Sequence, residues 1–129
     1  MTINGKTIVI TGASSGIGGE VARLARFHGA RVIGVDRKEA TLTLDGFVEA
    51  DLSDPTAIDA AVNQLPDRID ALINAAGVPG TVDRDIVARV NYLGLRHLTE
   101  LVVDRMPRGG SIVNLASILG AEWPKRVEA

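Results

Sequence analysis

The segment Lys6–Gly18, "KTIVITGASSGIG", decides the fold of this chain of 129 residues. Its first half is a nearly continuous apolar run, typical of a strand covered on both faces of a parallel sheet. Its second half places Gly12 at the strand exit and Gly16 where the backbone could approach a pyrophosphate. Gly18 then stands where a helix would touch the strand. Amides at the start of that helix would face the phosphates, so the segment predicts a strand, a phosphate-binding loop and a helix.

The end of the next strand-like run, Ala30–Asp36, indicates which dinucleotide the loop would bind. A carboxylate at Asp36 can accept both ribose hydroxyls of adenosine and would repel a 2′-phosphate, so NAD is favoured over NADP. The neighbouring Arg37 leaves NADP open, because a guanidinium can pair with a 2′-phosphate. Arg37 could equally lie in solvent or cover the adenine. A plain strand-to-helix turn is the alternative for the glycines, and a Walker loop is excluded because no Lys-Ser or Lys-Thr pair follows them.

Further strand-like runs alternate with helical patterns along the rest of the chain. The strands are predicted at 47–52, 70–76 and 110–116. Helices are predicted from Ile17 to His28 with Gly29 as the C-cap, from Pro55 to about Leu65 with Asp54 as the N-cap, and from Asp83 to about Arg105. This alternation predicts one α/β domain over residues 1–129, an open, doubly wound parallel sheet with right-handed crossovers.

Two apolar surfaces have no visible partner in this sequence. The fifth strand, which contains Ile112, Val113 and Leu115, is followed only by a polar tail, and a strand at the end of a sheet invites further pairing. Along the third helix the apolar residues extend past one narrow stripe: Ile86, Val87, Val90, Leu93, Leu95, Leu98, Leu101 and Val102. Both surfaces predict packing partners beyond these elements, so the sheet is expected to be incomplete on its C-terminal side.

Composition excludes several classes of function. The chain has no cysteine, which removes disulfides and thiolate metal sites, and His28 and His97 show no ligand spacing, so no metal site is expected. A net charge of −2 without a long basic run gives no support for nucleic-acid or anionic-membrane binding. No apolar stretch is long enough to span a bilayer, and the N-terminus lacks a signal-peptide pattern. A cytoplasmic protein is therefore expected.

Five motifs, in order and at suitable spacings, resemble those of the short-chain dehydrogenase/reductase family. They are the glycine loop with Asp36, then Asp51-Leu52, "NAAG" at 74–77, "VNYLG" at 90–94 and "GSIVNLAS" at 110–117. The resemblance implies a Rossmann fold, a nicotinamide cofactor, a small alcohol or ketone substrate, and a homodimer or homotetramer. The cofactor-binding residues that follow from the loop and the resemblance are Gly12, Ser14, Ser15, Gly16, Ile17, Gly18, Asp36, Arg37, Asp51, Leu52, Asn74, Ala75, Ala76 and Gly77.

The resemblance also implies roles for two catalytic positions. Asn91 would hold a water in a proton relay through its effect on the local helix, although a hydrogen-bonded core asparagine is the alternative. Ser117 would hydrogen-bond the substrate oxygen as charge develops there, although an isolated serine in this position is more often a cap or loop residue. Asn74 would lie beside the adenine ribose and steady the sheet, or act only as a turn former.

The family's catalytic tyrosine and the lysine four residues later are missing from this sequence. Its single tyrosine, Tyr92, is followed four residues later by Arg96, and Lys125 has no tyrosine before it. The tail from Ser117 onward resembles a branch that includes coniferyl-alcohol and hydroxysteroid dehydrogenases, in which an insertion separates serine from tyrosine. We therefore expect the working protein to continue past Ala129 and the 129 residues alone to be inactive. A stand-alone NAD-binding module, or one chain of a split enzyme with the tyrosine on a second chain, are the alternatives.

Overall fold

The computed structural model describes residues 2–39 and 41–118, and within them a single parallel sheet carries helices on both faces. Its strands are β1 (Thr7–Thr11), β2 (Arg31–Asp36), β3 (Gly46–Glu49), β4 (Ala71–Asn74) and β5 (Ser111–Asn114). They lie side by side in the order β3-β2-β1-β4-β5. This arrangement confirms the doubly wound parallel sheet. The chain first builds outward from β1 through β2 to β3, and then crosses back to place β4 on the other side of β1.

Three strands are clearly shorter than predicted: the fifth covers Ser111–Asn114 rather than 110–116, and in the third and fourth, polar side chains at the ends redirect the backbone. The third strand ends at Glu49 rather than Leu52, since Asp51 forms a turn in which its carboxylate accepts a hydrogen bond from the Ser53 N–H at 2.9 Å. The fourth ends at Asn74 rather than Ala76, because the Thr11 hydroxyl accepts the next two backbone N–H groups. In both places the chain leaves the sheet at the edge where the cleft described below opens.

Helices α1 (Gly16–Phe27) and α2 (Pro55–Val62) follow their sequence signals. Helix α1 ends before Gly29, whose φ of 83° is the left-handed conformation that glycine tolerates best. Helix α2 begins at the predicted cap, where Asp54 accepts a hydrogen bond from the Thr56 N–H at 2.9 Å. It ends three residues before the predicted end at Leu65, because the N–H groups of Gln64 and Leu65 bond the carbonyls three residues earlier in tighter turns ahead of the proline at position 66.

The predicted helix 83–105 is not uniform. It begins as α3 (Arg84–Ala88), continues through a π-helical stretch at Arg89–Gly94, here called the π segment, and resumes as α4 (Leu95–Val102) before a final 3₁₀ turn. The π segment coincides with the "VNYLG" motif. A β-carbon on Gly94 would lie only 1.9 Å from the Leu52 carbonyl oxygen, so this segment passes directly against the chain that leaves β3.

Hydrophobic cores fill both faces of the sheet. One unites Val9, Val35 and Leu72 with α2 and α4, and the other packs Ile8 and Ile10 on the alanine face of α1. Strand β5 differs from the rest, since all four of its residues are exposed. On the helices, Leu98 and Val102 are buried whereas Ile86 and Leu93 are exposed, so only part of the predicted apolar surface is covered. Across the described residues no helix has the length and apolarity needed to cross a bilayer.

Candidate cofactor site

A cleft of about 290 Å³ opens where the carboxyl ends of β1, β2 and β4 meet, the switch point at which open α/β sheets bind ligands. Most of the predicted cofactor residues line it. The lining consists of Gly12, Ser15, Gly16, Ile17, Val35, Asp36, Arg37, Ala50, Asp51, Leu52, Ala75, Ala76, Gly77, Val78 and Val90. The predicted set missed Val35, Ala50, Val78 and Val90, which carry no polar signal and are recognisable only as the residues beside strand ends and on the facing helix.

Three predicted residues, Ser14, Gly18 and Asn74, lie behind the cleft instead of lining it. Ser14 donates its backbone N–H to Asp36 and bonds the Lys38 carbonyl through its hydroxyl. Gly18 and Asn74 are buried. Ser14 and Gly18 contact residues that line the cleft, whereas the Asn74 side chain bonds Thr99 and Asn114 outside the lining.

The glycine spacing reflects close contact in two places and open space in a third. A β-carbon on Gly18 would lie 2.2 Å from the Gly12 carbonyl oxygen, and one on Gly12 would lie 2.8 Å from the backbone of Ala76. At Gly16, where φ is 55°, a β-carbon would meet no atom within 4 Å. The first two glycines thus permit helix–strand and strand–strand contact, and the third presents bare backbone to the cleft.

Thr11 joins the glycine loop to the asparagine motif. Its hydroxyl oxygen accepts hydrogen bonds from the backbone N–H groups of Ala75 and Ala76, at 3.1 and 3.0 Å. Thr11 is almost fully buried, with 1 % of its surface exposed. Sequence alone did not predict a role for Thr11. Its bonds hold the floor of the cleft, where β1 and β4 diverge.

The carboxylate of Asp36 is fixed before any ligand is considered. One oxygen accepts the Ser14 N–H at 3.1 Å, and the other accepts the Arg37 N–H at 2.7 Å. The first of these bonds ties the end of β2 to the glycine loop across 22 residues of sequence. A carboxylate held in this way keeps lone pairs for hydroxyl donors in the cleft.

Asp51, which follows β3, supplies a second carboxylate to the cleft. Hydrogen bonds from the Ser53 backbone and hydroxyl lower the pKa of Asp51 most, and the positive charge of Arg37 lowers it further against the opposing effect of burial. Asp51 is therefore ionised at neutral pH. The cleft lining thus includes the two carboxylates of Asp36 and Asp51 and the guanidinium of Arg37.

Asn74 lies at the centre of a buried amide network. Its Nδ2 donates to the Asn114 side chain at 2.8 Å and to the Thr99 hydroxyl at 3.1 Å, which joins β4 to β5 and α4. Its side-chain oxygen is buried without a hydrogen-bond partner among the described atoms. The turn-former alternative is wrong in its geometry, because these bonds reach two other elements instead of the residue's own turn.

Asn91 lies in the π segment and bonds the loop after β4. Its side-chain oxygen accepts the Val78 N–H at 2.8 Å, and its Nδ2 donates to the Val78 carbonyl at 2.9 Å. Because Asn91 is exposed, the core-asparagine alternative is wrong. The amide clamps one wall of the cleft to the helix.

Ser117 follows β5 by three residues and is exposed. The Leu115 N–H donates to the Asn74 carbonyl at 3.0 Å, so the chain leaves β5 beside the end of β4, at the same sheet edge as the cleft. Ser117 is not among the cleft-lining residues. The proposed insertion after it, including Lys125, lies outside the described residues.

The two histidines lie away from the cleft. His28 is the C-cap residue of α1, where a positive charge would be favourable. His97 on α4 contacts the Asp59 carboxylate of α2 at 2.7 Å. Neither contributes to the cofactor site.

The family model for the short chain dehydrogenase matches residues 6–128, which is nearly the whole chain. The chain belongs to the short-chain dehydrogenase family. A similar relative is the coniferyl-alcohol dehydrogenase of Pseudomonas sp. (strain HR199 / DSM 7063), at 62% identity over 128 residues. That alignment covers 99% of this chain and 50% of the relative. The chain thus spans about half the length of the curated relatives it matches.

Two solved structures have the same fold as this chain. The ligand-free aldohexose dehydrogenase of Thermoplasma acidophilum superposes with a TM-score of 0.80 at 24% identity, covering 89% of this chain and 50% of that one. A blue fluorescent protein from a metagenomic library, solved with NADPH, also gives 0.80 at 23% identity, covering 95% of this chain and 60% of that one. At these identities the likeness concerns the fold.

Proposed function

We propose that this chain carries the dinucleotide-binding half of an NAD-dependent alcohol dehydrogenase. The observation that carries the proposal is the Asp36 carboxylate, which lines the cleft and is held by two backbone N–H groups. In this position it would accept the adenosine ribose hydroxyls and repel a 2′-phosphate.

The residues of the cleft suit a dinucleotide. Bare backbone at Gly16 leaves room for a pyrophosphate, and the Ser15 side chain makes no capping bond to α1 within the described chain. First-turn amides of α1 are therefore not satisfied by that side chain and would bind phosphate oxygens. Asp36 would hold the ribose and Asp51 the adenine amino group. When bound, the nicotinamide ring supplies a hydride acceptor, and the protein contributes position and charge.

In the proposed reaction, the alcohol carbon gives up a hydride and its hydroxyl gives up a proton, which yields the carbonyl product. Ser117 would hydrogen-bond the substrate oxygen as its charge changes. Asn91 would act as a positioning residue through its clamp on Val78. The general base that takes this proton would come from the family's Tyr–Lys pair, which the 129 residues do not contain. We therefore propose that these residues alone do not turn over substrate.

The substrate class is proposed from the relative that is 62% identical, which is named for coniferyl alcohol. Aromatic alcohols of this kind are the first substrates to test, followed by secondary alcohols and hydroxysteroids. A homodimer or homotetramer in the cytoplasm belongs to the proposal through the family resemblance. A second chain bearing the missing tyrosine and lysine remains the alternative assembly, and intact mass of the purified protein distinguishes it.

A second candidate function is NAD binding without chemistry. It is favoured by one observation: the described lining of the cleft comes from the chain at the ends of β1 to β4, from the start of α1 and from Val90, and includes no residue of β5. This module would bind NAD and leave coniferyl alcohol unchanged in every assembly, whereas the dehydrogenase would oxidise it once the base is present.

Calorimetric titration of the protein with NAD⁺ and with NADP⁺ tests the proposed cofactor. We expect tighter binding of NAD⁺, and an Asp36→Ser variant should narrow the preference by about tenfold or more, since it removes a charge that repels the 2′-phosphate. Asp67→Asn, an exposed carboxylate outside the cleft lining, is the matched control and should leave the ratio unchanged. Equal affinity of the unaltered protein for both cofactors would contradict the assignment.

Oxidation of coniferyl alcohol by the protein in its natural length tests the chemistry. Ser117→Ala should lower kcat by about a hundredfold, the usual effect of losing one hydrogen bond to a developing charge, while NAD⁺ affinity stays the same. Turnover by the isolated 129 residues would show that the base lies within them and would overturn that part of the proposal.

A further inference from the structure

Arg37 and Asp51 stand next to each other at the ends of neighbouring parallel strands. In the register of β2 and β3, Asp36 lies opposite Glu49. The Ala50 N–H then donates to the Asp36 carbonyl at 2.9 Å, which continues the pairing one step beyond β3. Continuing this register places Arg37 opposite Ala50, with Asp51 one position further along the neighbouring chain, and both Arg37 and Asp51 line the cleft. Their positions therefore follow from backbone pairing and do not depend on a particular side-chain rotamer.

Arg37 and Asp51 carry opposite charges in the part of the cleft where a 2′-phosphate would lie. A guanidinium immediately after the acidic end of β2 is a natural binding partner for such a phosphate. Asp51 carries a negative charge beside it, and the attraction between them contributes to the lowered pKa of Asp51. Among the described residues they make no ion pair within 4 Å, so the attraction acts at longer range between the two strand ends.

We propose that Asp51 is a specificity-determining residue whose negative charge offsets that of Arg37 in the cleft, so that NADP is rejected twice, by Asp36 directly and by Asp51 through the weakened attraction of Arg37 for a 2′-phosphate. The inference rests on the proposed function, since it concerns which dinucleotide the same cleft takes. It gives Asp51 a task besides contact with adenine. It also accounts for the presence of Arg37 beside the Asp36 carboxylate, because Asp51 on the neighbouring chain balances the positive charge of Arg37.

The substitution Asp51→Asn isolates this effect. Asparagine keeps the side-chain oxygen that accepts the Ser53 N–H, so the turn after β3 is preserved. It also keeps an acceptor for adenine and removes only the negative charge. Arg37→Gln removes the guanidinium in the same way. Circular dichroism and thermal unfolding of each variant confirm that the fold is retained before binding is compared.

A double-mutant cycle on the ratio of NADP⁺ to NAD⁺ affinity is the decisive measurement, made by titration calorimetry on the protein and three variants. We expect Asp51→Asn to raise the ratio about fivefold, an effect of the size given by one exposed charge pair. The same change made in the presence of Arg37→Gln should leave the ratio unaltered. Glu49→Gln, an exposed carboxylate of β3 outside the cleft lining, is the control and should have no effect.

Two results would overturn the inference. If Asp51→Asn weakens both dinucleotides equally, Asp51 contacts adenine only. If it raises the ratio as much in the Arg37→Gln background as in the unaltered protein, the charge acts at long range and Arg37 is not its intermediary. Failure of the unaltered protein to bind NAD⁺ would instead contradict the proposed function, so the two failures are distinguishable. Raising the ionic strength should shrink the coupling, because an exposed pair is screened by salt.

Discussion

Strand β1 is buried from Ile8 to Thr11, whereas β5 is exposed along its whole length. The two strands are separated in the sheet only by β4, yet they lie in very different surroundings. Around β1, the glycine loop, Thr11 and Asp36 are linked by short hydrogen bonds and close backbone contacts. Around β5, the bond between Asn74 and Asn114 joins the strand to the sheet, but Ile112 and Val113 remain 41% and 47% exposed.

This difference shows where local sequence is sufficient to build a site. The residues that line the cleft come mainly from the β1–α1–β2 unit and from the loop after β4, the strand that pairs with β1. The Ser117 end depends on whatever packs against β5. Substitutions near β1 should therefore act on folding and nucleotide binding together, while substitutions near β5 should spare both.

Gly18→Ala is expected to have the largest effect, because its β-carbon would lie 2.2 Å from the Gly12 carbonyl oxygen. Backbone on both sides must shift, which should lower the free energy of unfolding by about 3 kcal/mol and abolish NAD⁺ binding. Gly80→Ala is the matched control, since a β-carbon there meets no atom within 4 Å. Urea denaturation compares the two variants, and equal stability would show that the glycine loop is not closely packed.

Thr11→Val should come next. The valine keeps the shape of the side chain but leaves the N–H groups of Ala75 and Ala76 without their acceptor, which should cost about 2 kcal/mol. Thr11→Ser retains the oxygen and should recover most of this loss. If valine and serine variants unfold at the same urea concentration, the hydroxyl does not hold β1 and β4 together at the cleft.

Asn91→Ala tests the helix side of the cleft and should have a smaller effect on stability, about 1 kcal/mol, because its bonds to Val78 are exposed. The loop after β4 should loosen, which hydrogen exchange at the Val78 amide would detect as faster exchange. Asn91→Asp keeps the acceptor and should protect that amide better than alanine does. Unchanged exchange in the alanine variant would contradict the clamp.

The smallest effect is expected at Asp70, on the opposite edge of the sheet. Its pKa is lowered from 3.8, chiefly by the Thr7 N–H and also by Arg68 and Lys6. The folded-state pKa lies below the unfolded one, so this carboxylate stabilises the fold at pH above 3.8, and the contribution is lost as pH falls through the folded value. Asp70→Asn should flatten the acid limb of stability measured by urea denaturation. An unchanged limb would assign the acid sensitivity to other carboxylates.

Sequence alone predicted the order of strands and helices along the chain, because apolar runs alternate with helical patterns. It also predicted the glycines that line the cleft, because their spacing is typical of a phosphate-binding turn after the first strand. It predicted Asp36 in the cleft for the same reason. It did not predict that Thr11 binds two amides of the β4 loop, or that Asn91 bonds Val78. Those bonds join residues 64 and 13 positions apart, and no local pattern encodes such pairings.

The π segment was also beyond prediction, since a helical pattern of apolar residues looks continuous through 84–102. The backbone is π-helical over Arg89–Gly94, and this geometry lets Gly94 lie against the Leu52 carbonyl while Asn91 bonds Val78. Tertiary contacts outweigh the ordinary preference for a continuous α-helix.

The π segment also makes the length of this helix matter more than its composition. One extra residue in a turn rotates everything beyond it by about 100°, so the segment works as a fixed angular offset between α3 and α4. Deleting a single residue there would rephase the helix and turn either Asn91 from its loop or Leu98 from the core. The exposed positions Arg89, Tyr92 and Leu93 should therefore accept many changes of side chain during evolution or engineering, but the stretch 89–94 should accept no insertion or deletion.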